Sequence, residues 1–479
     1  MHLYGPVVSS SIRAFLWHTL DGVPSKIRGS ASVNNRSMSV ATARAIFICG
    51  AVSVLSSYVL PANAAVDRSR VDELSASIEP KVIAWRRDIH EHPELSNRET
   101  RTAKLVAEQL KRLGLEVQTG VAHTGVVGFL KGGRPGPTVA IRADMDALPV
   151  TEKTDVPFKS HATATYRGET VGVMHACGHD SHTAMLMGIA QIFAAVRESL
   201  PGNVLFIFQP AEEGAPLGEE GGAELMLKEG LFDKYHPDVV FGMHVWAGNR
   251  VGEIAYRAGP VMAAVDSFNI VVKGRQAHGS RPWQSIDPIV TSAQIINALQ
   301  TVVSRDIDIT QNPAVVTIGA IKGGIRYNII PDHVDMLGTL RTFTPEQRSA
   351  ILDHMKRIVE NTAAANGATA QLSVEPGSDP VLYNDPDLTQ KILPTLQRVV
   401  GAQHVKETNL ITASEDYSFF AQKIPSVYFF VGITPPDQDP LQAPSNHSDF
   451  FYLDERGIPV AMHAMTQVVL DYLESKEAR

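Results

Sequence analysis

Val204-Leu-Phe-Ile-Phe-Gln-Pro-Ala-Glu-Glu-Gly214 is the stretch that decides the fold. Its five leading apolar residues predict a fully buried strand, and Pro210 with the two glutamates after it predicts the strand's end. Short apolar runs of the same kind recur at Thr138–Arg142, Asp238–Met243 and Val427–Val431, and small and apolar residues predict a helix over Ala184–Val196. Strands that alternate with helices imply a largely parallel sheet covered on both faces. Upstream, residues 66–118 read as helical, with apolar spacings of three and four over Val71–Ile89 and Thr102–Leu113.

Residues 267–374 break this rhythm. Phe268, Ile270 and Val272 alternate with polar neighbours, and a helical stretch follows from Ile286 to Val303. Strand-like runs at Ala314–Ile321 and His333–Arg341, a helix opened by Pro345 and a strand at Ala368–Val374 complete the series. The order β-α-β-β-α-β is ferredoxin-like. The expected architecture is therefore an α/β catalytic domain in two segments, 65–262 and 375–479, interrupted by an α+β domain at 263–374.

The first 64 residues read differently. Arg36 and Arg44 precede an apolar run from Ala45 to Leu60, and Pro61-Ala-Asn-Ala-Ala65 follows. A basic start, a short apolar stretch and an Ala-x-Ala end predict a signal peptide cut after Ala64, with Met38 as an alternative start. The run is too short for a membrane span of about 20 residues, so an exported, periplasmic or secreted protein without a membrane anchor is expected. Of 43 basic and 51 acidic residues, the leader holds five and one, leaving a formal charge of −12 beyond it. An acidic chain with no basic stripe excludes nucleic acid as the expected partner. Of the two cysteines, Cys49 lies in the leader, so Cys177 is the single thiol after it.

Ligands of open parallel sheets bind beyond the carboxyl ends of the strands. Asp144-Met-Asp146 follows the first run, Glu212-Glu213 the second and His244 the third, while His175-Ala-Cys-Gly-His-Asp-Ser-His182 lies between the first two. A thiolate and an imidazole two residues apart, as in Cys177-Gly-His179, reach one metal ion, with glycine permitting the tight turn. Adjacent carboxylates at a strand end diverge, so one of Glu212 and Glu213 can bind metal while the other serves as general base. His244 and His447 are weak signals alone, and Asp144 and Asp146 fit a role orienting ligands.

These residues resemble a known family. Arg86-Arg-Asp-Ile-His-Glu-His-Pro-Glu-Leu95, Arg142-Ala-Asp-Met-Asp-Ala-Leu-Pro149, His175-Ala-Cys-Gly-His-Asp180, Gln209-Pro-Ala-Glu-Glu-Gly214 and Ala413-Ser-Glu-Asp-Tyr417 look like the hippurate hydrolase and auxin-conjugate hydrolase branch of the dinuclear aminoacylase/carboxypeptidase metallohydrolases. The resemblance implies a catalytic domain holding two divalent metal ions, Zn or Mn with Co or Ni as further candidates, and an inserted lid or dimerisation domain. It implies Cys177, His179, Glu213, His244 and His447 as metal ligands and Glu212 as base. It also implies His278 as the lid histidine that polarises the scissile carbonyl, and Asn328 and Arg326 as substrate contacts. One departure stands out: sister branches place a metal-binding histidine where this chain has Asp144.

The implied activity is cleavage of the amide bond of an N-acyl or N-aroyl amino acid, by a water whose proton passes to Glu212. A homodimer through the inserted domain follows from the same resemblance. Two rivals stand beside this reading. A metallocarboxypeptidase on short peptides would use the same site. An exported solute-binding protein would share the size and α/β pattern but would have no use for a thiol, three histidines and paired glutamates at strand ends.

Overall fold

The structure, a computed structural model, describes residues 65–375 and 379–477. The predicted leader therefore lies outside the described residues. Among the described residues no helix is long and apolar enough to cross a membrane.

Two separate sheets organise the chain. The larger has eight strands. Its centre is parallel: Arg134–Asp144 lies between Pro201–Gln209 and Val239–Arg250, and Ser426–Thr434 continues the parallel set. Both flanks change direction. Gly125–Lys131 pairs antiparallel with Pro201–Gln209 and carries Glu116–Val121 in a hairpin, while Ile254–Tyr256 lies antiparallel to Ser426–Thr434. The central strands are apolar on both faces because both are covered. Val204, Phe206 and Phe208 join Phe241 and Phe429 in one core, and Leu205 and Ile207 join Val240, Tyr428 and Phe430 in another. This is the period-two alternation of a strand, and it explains why the sequence there shows a run of apolar residues and no polar face.

The second sheet is four-stranded and antiparallel, built from Ala264–Lys273, Val315–Gly323, His333–Thr342 and Thr369–Val374 with the helices Pro288–Asp306 and Pro345–Ala365. Its strand order is that of a ferredoxin-like sheet: the first strand lies between the third and the fourth, and the second is at the edge. Phe268, Ile270 and Val272 face a core of its own with Ile295, Leu299, Met355 and Val359. Asp287 and Thr344 cap the two helices, each followed by proline at the first helical position.

Two expectations need correction. Residues 66–118 are not one helical region but the helices Arg68–Glu91 and Thr100–Arg112 and the start of the strand Glu116–Val121. Gly114, at φ +72°, ends the second helix, with Leu115 N donating back to Leu110 O. Likewise, His244 does not follow its strand. The strand runs from Val239 to Arg250, because Ser426–Thr434 pairs with it along that length. His244 still lies past the point, Arg142 opposite Gly242, where pairing with the neighbour on the other side ends.

Candidate active site

The strands Arg134–Asp144 and Pro201–Gln209 end beside His244 of Val239–Arg250 at one buried hollow, and the local sequence explains how each side chain reaches it. Gly178 stands at φ +100° before the helix His179–Ala195, and a Cβ there would lie 2.3 Å from Val245 Cγ2. Only glycine makes this turn, which sends Cys177 and His179 to the same point. Asn446 ties the loop of His447 to the same place, donating to Cys177 O at 3.1 Å and to Val245 O at 3.2 Å, while His447 N donates to Ala176 O.

The five residues expected as ligands meet. Cys177 Sγ lies 3.3 Å from His244 Nε2 and 3.3 Å from His447 Nε2, and His447 Nε2 lies 3.1 Å from Glu213 Oε1. His179 donates Nδ1–H to Asp146 O at 2.9 Å, leaving Nε2 buried and without a hydrogen-bond partner among the described residues. That nitrogen is 3.8 Å from Glu212 Oε2, 3.8 Å from Asp144 Oδ2 and 4.0 Å from Glu213 Oε1. Two three-residue groups, Cys177–His179–His244 and Cys177–Glu213–His447, share the sulfur, each with its ligand atoms within 4.8 Å of one another. Ligand atoms about 2.0–2.3 Å from one ion at tetrahedral angles stand about 3.3–3.8 Å apart, so the donor types and the spacing fit divalent cations.

Without a cation the group is electrostatically tense. Burial pushes the Cys177 thiol well up, and the Glu213 and Glu212 carboxylates push it further. Burial also raises the Glu212 carboxyl well above its usual range, aided by Glu415, Glu213 and Asp416. Burial acts the other way on His179, but Asp144, Asp146 and Glu213 outweigh it and raise the imidazole to about 10. A divalent cation at the centre would favour the ionised form of the thiol and of the carboxyl.

A surrounding layer holds this centre, and sequence reasoning saw only part of it. Asp146 accepts from Glu212 N at 3.1 Å, from Glu213 N at 3.0 Å and from Ser96 Oγ at 2.7 Å, so it fixes the glutamate pair through the backbone. Glu99 accepts from Ala211 N, at a residue held in the unusual φ of +53°. Asp144 accepts from His182 Nδ1 at 2.6 Å and from Arg142 Nη1 at 2.6 Å. Because His182 Nε2 accepts from Val245 N, both nitrogens of that histidine are engaged. Arg142 also binds Gln209, Glu415 and Asp416. Arg142, Gln209, Glu415 and Asp416 all lie in the quoted motifs, yet nothing in their spacing announced a shared ion cluster. Glu99, Ser96 and Asn446 carried no signal at all.

His278 and Asn328 are brought together by a short antiparallel pairing. Ala277–His278 pairs with Ile329–Ile330, and Gly279 N donates to Asn328 O at 2.8 Å. His278 is exposed, and its described partners are the N and Oγ of Ser280. Arg326 is exposed and Asn328 half-buried.

Residues 140–471 match the family described as Peptidase family M20/M25/M40. Thermostable carboxypeptidase 2 of Saccharolobus solfataricus is 44% identical over 379 residues, 79% of this chain and 92% of the relative. The N-acyl-L-amino acid amidohydrolase of Geobacillus stearothermophilus is 41% identical over 318 residues, 66% of this chain and 82% of the relative. Among solved structures, a dinuclear metal-binding peptidase of the M20 family from Bacillus subtilis superposes with a TM-score of 0.70 at 35% identity, covering 84% of this chain and 99% of the other. The chain belongs to the M20/M25/M40 peptidase family and is an enzyme of its amidohydrolase/aminoacylase branch.

Proposed function

We propose that this enzyme hydrolyses the amide bond of N-acyl or N-aroyl amino acids. The observation that carries the reading is the convergence of Cys177, His179, Glu213, His244 and His447 with the Glu212 carboxylate 3.8 Å from His179 Nε2. These five residues would hold two divalent cations, Zn by the thiolate and imidazoles or Mn by the carboxylate, with Co or Ni as substitutes. When bound, such ions polarise the amide carbonyl and lower the pKa of a coordinated water.

The chain's own groups do the rest. Glu212 accepts the proton of the attacking water and passes it to the leaving amine nitrogen. Its backbone is fixed by Asp146 and its side chain is almost enclosed, so the carboxylate stays aimed and solvent is excluded. His278, on a segment at 263–374 that acts as a lid, donates a hydrogen bond to the oxygen on which negative charge develops. Arg326 and Asn328 contact the substrate beside it, with the guanidinium suited to the α-carboxylate. The same segment serves dimerisation.

The names of two relatives support different substrates: the Geobacillus protein is named for N-acyl amino acids, the Saccharolobus protein for carboxypeptidase activity. Assay of the metal-loaded enzyme on N-acetyl and N-benzoyl amino acids and on dipeptides separates the readings. Turnover confined to dipeptides would favour the carboxypeptidase. Turnover of none of them by the metal-loaded enzyme would count against both readings. The leader motivates export with cleavage after Ala64, and an exported product whose amino terminus is not Ala65 counts against it.

A further inference from the structure

A cavity of about 370 Å³ opens beside the centre, walled by Leu148, Pro149, Tyr166, Arg167, Leu217 and Glu213. Its size falls within the range of small-molecule pockets. Glu213 belongs both to this wall and to the cluster, where it meets His447 at 3.1 Å. A group lying in the cavity is therefore attached close to the amide bond whose hydrolysis Glu212 would assist.

The lining has two features that packing does not explain. Leu217, four residues after Glu213, is 80% exposed, and Tyr166 is 37% exposed. Large apolar side chains left open around a cavity mark a binding surface. The second feature is the hairpin of Thr163–Tyr166 and Glu169–Gly172, whose turn places Arg167 at φ +52° and Gly168 at φ +87°. Two positive φ values in succession suit Asn-Gly, and an arginine at the first carries a steric cost. That cost falls on an exposed turn with no core to serve. Arg98, the other guanidinium on this cavity, is paired with Glu219 at 2.6 Å. Arg167 lies over the ring of Tyr166 at 5.3 Å and has no carboxylate partner among the described residues.

We propose that this cavity is the acyl pocket and that Arg167 selects acyl chains ending in a carboxylate, the apolar walls of Leu148, Pro149, Tyr166 and Leu217 taking the chain between. The proposal rests on the N-acyl amino acid reading above and deepens it. The α-carboxylate of the substrate is assigned to Arg326, so the anion met by Arg167 is the one at the far end of the acyl group.

The test compares N-acetyl-, N-hexanoyl- and N-adipoyl-L-alanine as substrates of the full-length, metal-loaded enzyme and of Arg167→Ala and Leu217→Ala. Hexanoyl and adipoyl have the same length and differ in the terminal carboxylate. The wild type should favour adipoyl about tenfold or more in kcat/KM, the scale of one charge-assisted contact. Arg167→Ala should lose that preference by slowing adipoyl alone. Leu217→Ala, at a site too exposed to affect folding, should slow both long chains and leave acetyl unchanged. An unchanged adipoyl-to-hexanoyl ratio in Arg167→Ala overturns the proposal, and so does an equal loss on acetyl, which would put Arg167 on the α-carboxylate. Calorimetric titration of N-adipoyl-L-alanine into metal-loaded Glu212→Gln, with and without Arg167→Ala, reads occupancy apart from turnover. If the wild type cleaves none of the three and no N-benzoyl amino acid either, the function proposed above fails. Binding weakened by Arg167→Ala would then still uphold the pocket, whereas equal binding or none would overturn it.

Discussion

At the scale of single residues, the centre is built from side chains whose second atoms are already committed. His179 and His244 each give Nδ1 to a backbone carbonyl, Asp146 O and Val245 O, which leaves Nε2 of both facing the hollow. The two glutamates differ in their neighbours: Glu213 lies with His447 and Cys177, and Glu212 with Glu415 and Asp416, while both stand near His179. Glu212→Gln should retain metal and thermal stability and lower kcat by about 10²–10⁴, the usual range for a general base. An active Glu212→Gln enzyme measured in the same assay sinks the assignment. Cys177 makes a spectroscopic prediction. In cobalt-substituted protein a thiolate ligand gives a near-ultraviolet charge-transfer band, and Cys177→Ser should abolish it. A band that survives the substitution excludes the sulfur as a ligand. These residues were legible in the sequence because their chemistry is unusual there: the one thiol after residue 64 beside histidines, and an acidic pair just beyond an apolar run.

At the scale of elements, the turn before His179–Ala195 is the most constrained joint. Gly178→Ala requires a Cβ 2.3 Å from Val245 Cγ2 at φ +100°, and Val245 is itself buried. The substitution should cost about 2–4 kcal/mol from overpacking and backbone strain. Metal stoichiometry and thermal melting should fall together. A variant that melts like the wild type would show that the turn relaxes freely. Most helix and strand positions were readable because periodicity is a local signal, and Pro345 marks the start of a helix. The hairpin Thr163–Tyr166 with Glu169–Gly172 was not, since its strands are only four residues long and mostly exposed.

At the scale of the whole molecule, buried charge ties distant segments together, and two predictions follow from it and from the second sheet. His90, from the first helix, contacts Asp180 at 2.8 Å and Glu152 at 3.2 Å. Burial works against its protonation, but these two carboxylates outweigh it and raise the imidazole above its ordinary value. A raised histidine contributes stability that is complete below its unfolded pKa near 6.5 and is lost as pH rises through the folded pKa. Tm should therefore decline above pH 6.5, and His90→Gln should remove that part of the decline. An identical slope in the variant would assign it to other groups. His278→Ala should lower kcat while leaving metal content and Tm unchanged, because His278 is exposed and its described partners are those of Ser280. Unchanged turnover would refute the lid role. Mixing His278→Ala with Glu212→Gln subunits should restore some activity if the histidine acts across a dimer. With subunit exchange verified, failure to do so refutes the shared site alone.

The sequence by itself determined the α/β alternation, the four-stranded insertion and the residue types gathered at the strand ends, because strand and helix periods and rare ligand chemistry are written locally in the chain. Only the tertiary structure decided how far the strand of His244 runs, since its length depends on Ser426–Thr434, nearly two hundred residues away. The same holds for the cluster of Arg142 with Glu415 and Asp416, which lie more than 270 positions along the chain and meet it only after the sheet has formed. A buried ion pair at that separation leaves no periodic trace. Its partners are ordinary charged residues until folding removes them from water and makes each dependent on the other.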